Sequence, residues 1–163
     1  FGGMLGGLVG LVVVMRLRAM SRSDMLRFVD CLMFALPFTL AVGRLGCALQ
    51  HDHLGVSSTH WLAVRFPDGP RFELGLLEFL YTSGMALAFL ALDRRRRPAG
   101  FYVAAFFALY GPARFAMDAL RTCDARYLGW TPGQFLSVAA TVGGLAALAW
   151  LLARARELSA RAP

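Results

Sequence analysis

The sequence predicts an all-α fold, a polytopic bundle of membrane helices with a small cap on one side. Three observations predict it. Of the 163 residues, 58% are hydrophobic and the mean hydropathy is +0.56, whereas soluble domains are roughly 45–50% apolar. The excess is collected into runs of about 17–23 residues, long enough as helix to cross a hydrocarbon core of about 30 Å. Most of the charged residues alternate with those runs.

Five spans follow in order, at about 2–15, 28–49, 74–92, 101–120 and 133–152, within one integral-membrane domain covering 1–163. The first is short. The chain opens inside it at Phe1, with no charged segment or small-residue cleavage site ahead, so it reads as the remainder of a longer chain and not as a signal peptide. Gly2, Gly6 and Gly10, with Gly3 and Gly7, give overlapping GxxxG spacings that let another helix approach closely. Between the second and third spans, residues 50–72 carry His51, Asp52, His53, His60, Trp61, Pro67 and Pro70. This segment reads as an external cap of compact, irregular structure, with Leu62–Phe66 able to form a short strand.

The formal charge is +7, with a pI near 10.3, and all 17 basic residues are arginine. In a soluble protein this would suggest nucleic acid, but the arginines border apolar spans and form no patch with interleaved aromatics, which excludes that partner. Arg16, Arg18, Arg22 and Arg27, the run Arg94–Arg97, and Arg154, Arg156 and Arg161 fall on one side; only Arg65, Arg71, Arg121 and Arg126 fall on the other. The positive-inside rule then predicts a cytoplasmic C-terminus and an external start. Cys31, Cys47 and Cys123 have no CxxC spacing, which argues against a disulfide framework or a zinc site. Cys31 reads as a buried small apolar residue, and a Cys47–Cys123 bridge is compatible with the layout.

Arg44, Glu78, Arg114 and Asp118 lie inside the spans. Charge in mid-membrane costs several kcal/mol and is rarely kept without a role. At 1.5 Å of rise per residue, Arg44 lies about 7 Å and Glu78 about 6 Å inside the external ends of their spans, and Arg114 and Asp118 about 9 and 3 Å. All four belong to one shallow layer. Tyr110, Arg114 and Asp118 recur every four residues and share a helix face, continued by Arg121; Pro112 after Gly111 predicts a kink or break there. Gly43 and Gly46 flank Arg44 and leave room for a head group or another backbone. Mutual neutralisation of Arg–Asp and Arg–Glu pairs is one explanation of the layer. The other is a clamp for a lipid phosphate, whose oxygens match two guanidinium forks.

The order Gly2-Gly3, Gly43-Arg44-Leu45-Gly46, Leu76-Leu77-Glu78, Tyr110-Gly111-x-x-Arg114-Phe115-x-x-Asp118-x-x-Arg121 and Gly133-Gln134-Phe135-Leu136-Ser137 resembles the prolipoprotein diacylglyceryl transferase family over nearly the whole chain. The resemblance implies a seven-helix enzyme of the bacterial inner membrane, two of whose helices would precede this chain. Such an enzyme moves diacylglycerol from phosphatidylglycerol to the lipobox cysteine of a prolipoprotein signal peptide and releases glycerol phosphate. Two essential arginines of the family match Arg44 and Arg114. Glu78, Asp118, Arg121 and Gln134 would support them, and Tyr110, Gly43 and Gly46 would meet the head group. No cofactor and no metal are implied.

This chain departs from the family pattern in four places. Phe1 stands where the family has the histidine of His-Gly-Gly, its proposed base. Cys47 replaces an asparagine, Asp118 a glutamate, and Phe72–Glu78 a more polar segment. His51 and His53 follow the clamp arginine; they read as exposed loop histidines, as a replacement base, or as an HxH metal pair lacking further ligands. A non-catalytic lipid- or lipoprotein-binding paralogue is the alternative function. A small transporter is a second, though no internal repeat supports it.

Overall fold

A computed structural model describes residues 2–95, 97–122 and 125–160. Five helices carry the fold: α1 Gly2–Leu17, α2 Arg22–Gln50, α3 Leu74–Asp93, α4 Phe101–Ala119 and α5 Pro132–Ala160. Three of them, α2, α3 and Pro132–Ala155 of α5, are long and apolar enough to cross a membrane. The chain is a helical membrane protein. Phe1 and Cys123, on which the missing histidine and the bridge to Cys47 depended, lie outside the described residues.

Local chemistry sets the helix ends. The Ser21 side chain accepts from the Asp24 amide at 3.2 Å and starts α2, one of the orphan donors that a cap satisfies. At its other end His51 adopts the left-handed conformation (φ 54°). Helix α3 starts at Glu73, whose carboxylate accepts from the amides of Gly75 and Leu76. Thr131 and Gln134 cap α5 reciprocally: the Gln134 amide donates to Thr131 Oγ1 at 3.1 Å and the Thr131 amide to Gln134 Oε1 at 3.0 Å, a capping box.

The segment after α2, expected to be irregular, is a three-stranded antiparallel sheet of order β1-β3-β2, with β1 Leu54–Ser57, β2 Val64–Phe66 and β3 Gly69–Glu73. Only β2 falls in the stretch read as a short strand. The sheet is sewn to the helices: Val56 N donates to Leu120 O at 3.0 Å and Leu74 N to His53 O at 2.9 Å. A Cβ on Gly55 would stand 3.1 Å from Leu120 O, so the crossing is a close one. We call this the cap end.

Below the cap, Met85 and Phe89 of α3 pack with Phe101, Tyr102, Ala105 and Phe106 of α4, flanked by Phe34 of α2. Small residues hold the helices close, as expected where lipid supplies no hydrophobic drive for association. A Cβ on Gly75 would stand 2.9 Å from Ala48 N, joining α3 to α2, and one on Gly144 would stand 2.5 Å from Ala108 N, joining α5 to α4. Helix α4 passes Gly111-Pro112 without the expected break. Gly111 is where α4 meets Ser137 and Thr141 of α5, and this packing carries the helix through its proline. Gly6, Gly7 and Gly10 of α1 have nothing within 4 Å of an added Cβ, so the helix their spacing anticipates is not among those described. Cys31, expected to be buried, is exposed, because it lines an open cavity at the end of the bundle away from the cap.

Candidate functional site

The spans supply the site from three helices. Near the end of α2 stands Arg44, near the start of α3 Glu78, and in the last turns of α4 Tyr110, Arg114 and Asp118. Arg44, Glu78, Arg114 and Asp118 each lie within about two turns of a helix end next to the cap, which brings them to one level. Glu78 is the junction. Its Oε2 pairs with Arg44 Nε at 3.0 Å and Arg114 Nη1 at 3.4 Å, and its Oε1 accepts from the Tyr110 hydroxyl. Arg114 Nη2 also pairs with Asp118 Oδ1 at 2.9 Å, and Arg121 Nη1 approaches the same oxygen at 3.7 Å.

The exposures differ in a way that matters. Glu78 is 2% exposed and Asp118 1%, whereas the side chains of Arg44 and Arg114 keep 22% and 27%. The carboxylates are thus inside and the guanidiniums at the rim, where an anion can reach them. Tyr110 spends its proton on Glu78, so an acceptor lone pair is what it retains for a head group. Gly43 and Gly46 have nothing described within 4 Å of an added Cβ, and the space beside Arg44 is open.

Gln134 enters through the backbone. Its Nε2 donates to Phe115 O at 3.4 Å, tying the start of α5 to the residue after Arg114. Asp118 Oδ2 lies so close to Gly133 that a side chain there would strike it. The carboxylate therefore rests against the first turn of α5, where the helix dipole favours negative charge.

The two loop histidines part company. His51 turns its ring edge-on to Phe66, with centroids 5.2 Å apart. His53 Nδ1 pairs with Asp52 Oδ1 at 2.6 Å. Ligand atoms of Cys47, Asp52 and His53 lie within 4.8 Å of one another. The sequence reading missed this group because Cys47 lies within the predicted span and the histidines beyond it. It also missed Glu73, 1% exposed, whose signal was an acidic residue just before an apolar run.

At the opposite end, a cavity of about 640 Å³ is lined by Arg27, Asp30, Cys31, Asp93, Arg97 and Tyr102 among others. Its carboxylates are otherwise engaged: Asp30 Oδ1 accepts from the Val103 amide at 2.9 Å and Asp93 Oδ1 from the Tyr102 hydroxyl at 2.8 Å.

Comparison with known proteins gives a consistent result. A family model described as prolipoprotein diacylglyceryl transferase matches residues 1–150. Among curated proteins named phosphatidylglycerol–prolipoprotein diacylglyceryl transferase, that of Actinobacillus pleuropneumoniae serotype 3 (strain JL03) is 32% identical over 160 residues, covering 91% of this chain and 60% of that protein. The one from Vibrio vulnificus (strain CMCP6) is 34% identical over 160 residues, covering 91% and 58%. The one from Brucella ovis is 34% identical over 171 residues, covering 96% and 59%. The chain therefore spans about 60% of the length of these relatives.

Proposed function

This chain belongs to the prolipoprotein diacylglyceryl transferase family, and on that premise we propose that it transfers a diacylglyceryl group from phosphatidylglycerol to the lipobox cysteine of prolipoproteins. The observation that carries the reading is the convergence of Arg44 and Arg114 on one buried carboxylate, at 3.0 and 3.4 Å, with both guanidiniums still partly exposed. Glu78 holds the two forks at a common point, and their outward donors take the lipid phosphate.

In the reaction a thiolate sulfur attacks the glycerol carbon that bears the phosphate ester. The S–C bond forms, the C–O bond breaks, and negative charge grows on the departing phosphate oxygens. Donors already aimed at that charge stabilise the transition state more than the ground state. Arg44 and Arg114 fill this role, with Glu78, Asp118 and Arg121 as positioning residues and Tyr110, Gly43 and Gly46 beside the head group. Either His51 or His53 stands in for a base.

Arginine counting supports a location in the bacterial inner membrane, with the C-terminus cytoplasmic and the charged layer near the external face. The rival reading is a paralogue that binds lipid or lipoprotein without chemistry, favoured by Phe1 at the place of the family's histidine. One assay separates them. Membranes containing the full-length protein, phosphatidylglycerol and a lipobox peptide are expected to yield a thioether-linked diacylglyceryl peptide by mass. Bound phosphatidylglycerol without product would sink the transferase reading in favour of the binding paralogue.

A further inference from the structure

We propose that Cys47, Asp52 and His53 form a zinc site whose open position receives the acceptor thiol. The left-handed backbone of His51 (φ 54°) ends α2 and turns the chain back on itself. One sulfur, one carboxylate oxygen and one imidazole nitrogen then lie within 4.8 Å of one another. A zinc ion with bonds of about 2.0–2.3 Å holds such donors about 3.5 Å apart. On binding, the Asp52 Oδ1–His53 Nδ1 pair, 2.6 Å apart, opens by about an ångström, and no other pair has to close by much more than about an ångström. Asp52 and His53 follow the helix in irregular chain, where that shift is inexpensive.

The donor set points to the ion. A thiol, an imidazole and a carboxylate together suit zinc, and three protein ligands with a fourth position open are the pattern of catalytic zinc rather than structural zinc. Charge agrees as well. A Cys47 thiolate and the Asp52 carboxylate cancel the two positive charges, which lets the ion sit beside Arg44. The carbonyl end of α2 adds a favourable dipole. Cys47 carries a free thiol, available as a thiolate ligand.

This inference rests on the transferase reading and gives it a second route, beside a histidine base at His51, for removing the thiol proton. A thiol that coordinates zinc is deprotonated outright. The acceptor thiol displaces water from the ion and its proton leaves to solvent. The sulfur then forms its bond to the glycerol carbon as the C–O bond breaks, and the electron pair departs on glycerol phosphate. The thioether product is neutral, a poor ligand, and dissociates. Because Arg44 pairs with Glu78 and Cys47 follows it by three residues on α2, thiolate and phosphate are held side by side.

The test uses the full-length protein, purified and stripped with a chelator. Cobalt(II) replaces zinc as the probe, because a cobalt–thiolate bond gives a charge-transfer absorption. One equivalent is expected to produce that band, C47S and H53Q to abolish it, and R114A to leave it intact. In the lipobox-peptide assay, chelation is expected to lower product more than tenfold and zinc to restore it. No band, or a band that survives C47S, overturns the site. Product undiminished after complete metal removal overturns the thiol-activating role while the transferase reading stands. A band that depends on Cys47 and His53, with no product at any metal loading, upholds the site and sinks the transferase reading instead.

Discussion

The two ends of the bundle use the same materials and put them to different work. At the cap end, arginines, two carboxylates and a tyrosine meet as side chains: Arg44, Arg114 and Tyr110 all reach Glu78. At the opposite end, Arg27, Arg97, Asp30, Asp93 and Tyr102 share one cavity, yet Asp30 serves the Val103 amide and Asp93 the Tyr102 hydroxyl. Arg97 donates to Leu92 O at 3.0 Å and lies over the Phe101 ring. Among the described residues, neither Arg27 nor Arg97 pairs with a carboxylate. Carboxylates that cap backbone hold helices in place. Carboxylates that hold guanidiniums hold charge ready for a partner. Residue type alone does not distinguish these uses; the partner atom does.

Substitutions at matched positions would break or sharpen that contrast. The largest effect is expected for R114A, which should cut peptide diacylglycerylation about a hundredfold to a thousandfold, the usual cost of losing one preorganised donor. R97A should stay within about twofold of the parent protein; equal losses at both ends would erase the distinction. Next comes E78Q, which keeps the shape and the Tyr110 contact but leaves two guanidiniums without their carboxylate. Removing one partner of a buried ion pair costs about 3 kcal/mol, and thermal unfolding in detergent should record it. D30A should cost about 1 kcal/mol through the lost cap on α4, and D30N much less, since an amide oxygen still accepts. Neither should alter transfer. The smallest change is expected for Y102F, about 0.5 kcal/mol for a hydroxyl bond at a partly solvated rim.

The helices and the charged layer were legible because both follow from one expense, that of charge in hydrocarbon. Apolar runs announce spans, and Arg44, Glu78, Arg114 and Asp118 stand out against them. Rise per residue gave their common depth but not their direction around each helix, so Glu78 as the shared partner could not be read. The cap sheet escaped because its strands have only three to five residues, and β1 finds its partner across an intervening strand. The gathering of Cys47, Asp52 and His53 escaped for another reason: it depends on positive φ at His51, a non-glycine residue whose conformation nothing local announces. The capping boxes were written plainly in Ser21-x-x-Asp24 and Thr131-x-x-Gln134, but a hydropathy window does not register them.

Glu78 Oε2 serves two guanidiniums at unequal range, 3.0 Å to Arg44 and 3.4 Å to Arg114. One oxygen cannot satisfy both fully, and on the proposed function the looser contact would be the first that an arriving phosphate displaces. Arg114 would then stop competing for Glu78 while keeping Asp118 at 2.9 Å, and the hold on Arg44 would tighten. Occupancy by lipid would thereby stiffen the α2–α3 side of the layer. The resting ion pairs behave as a balance with one arm already light.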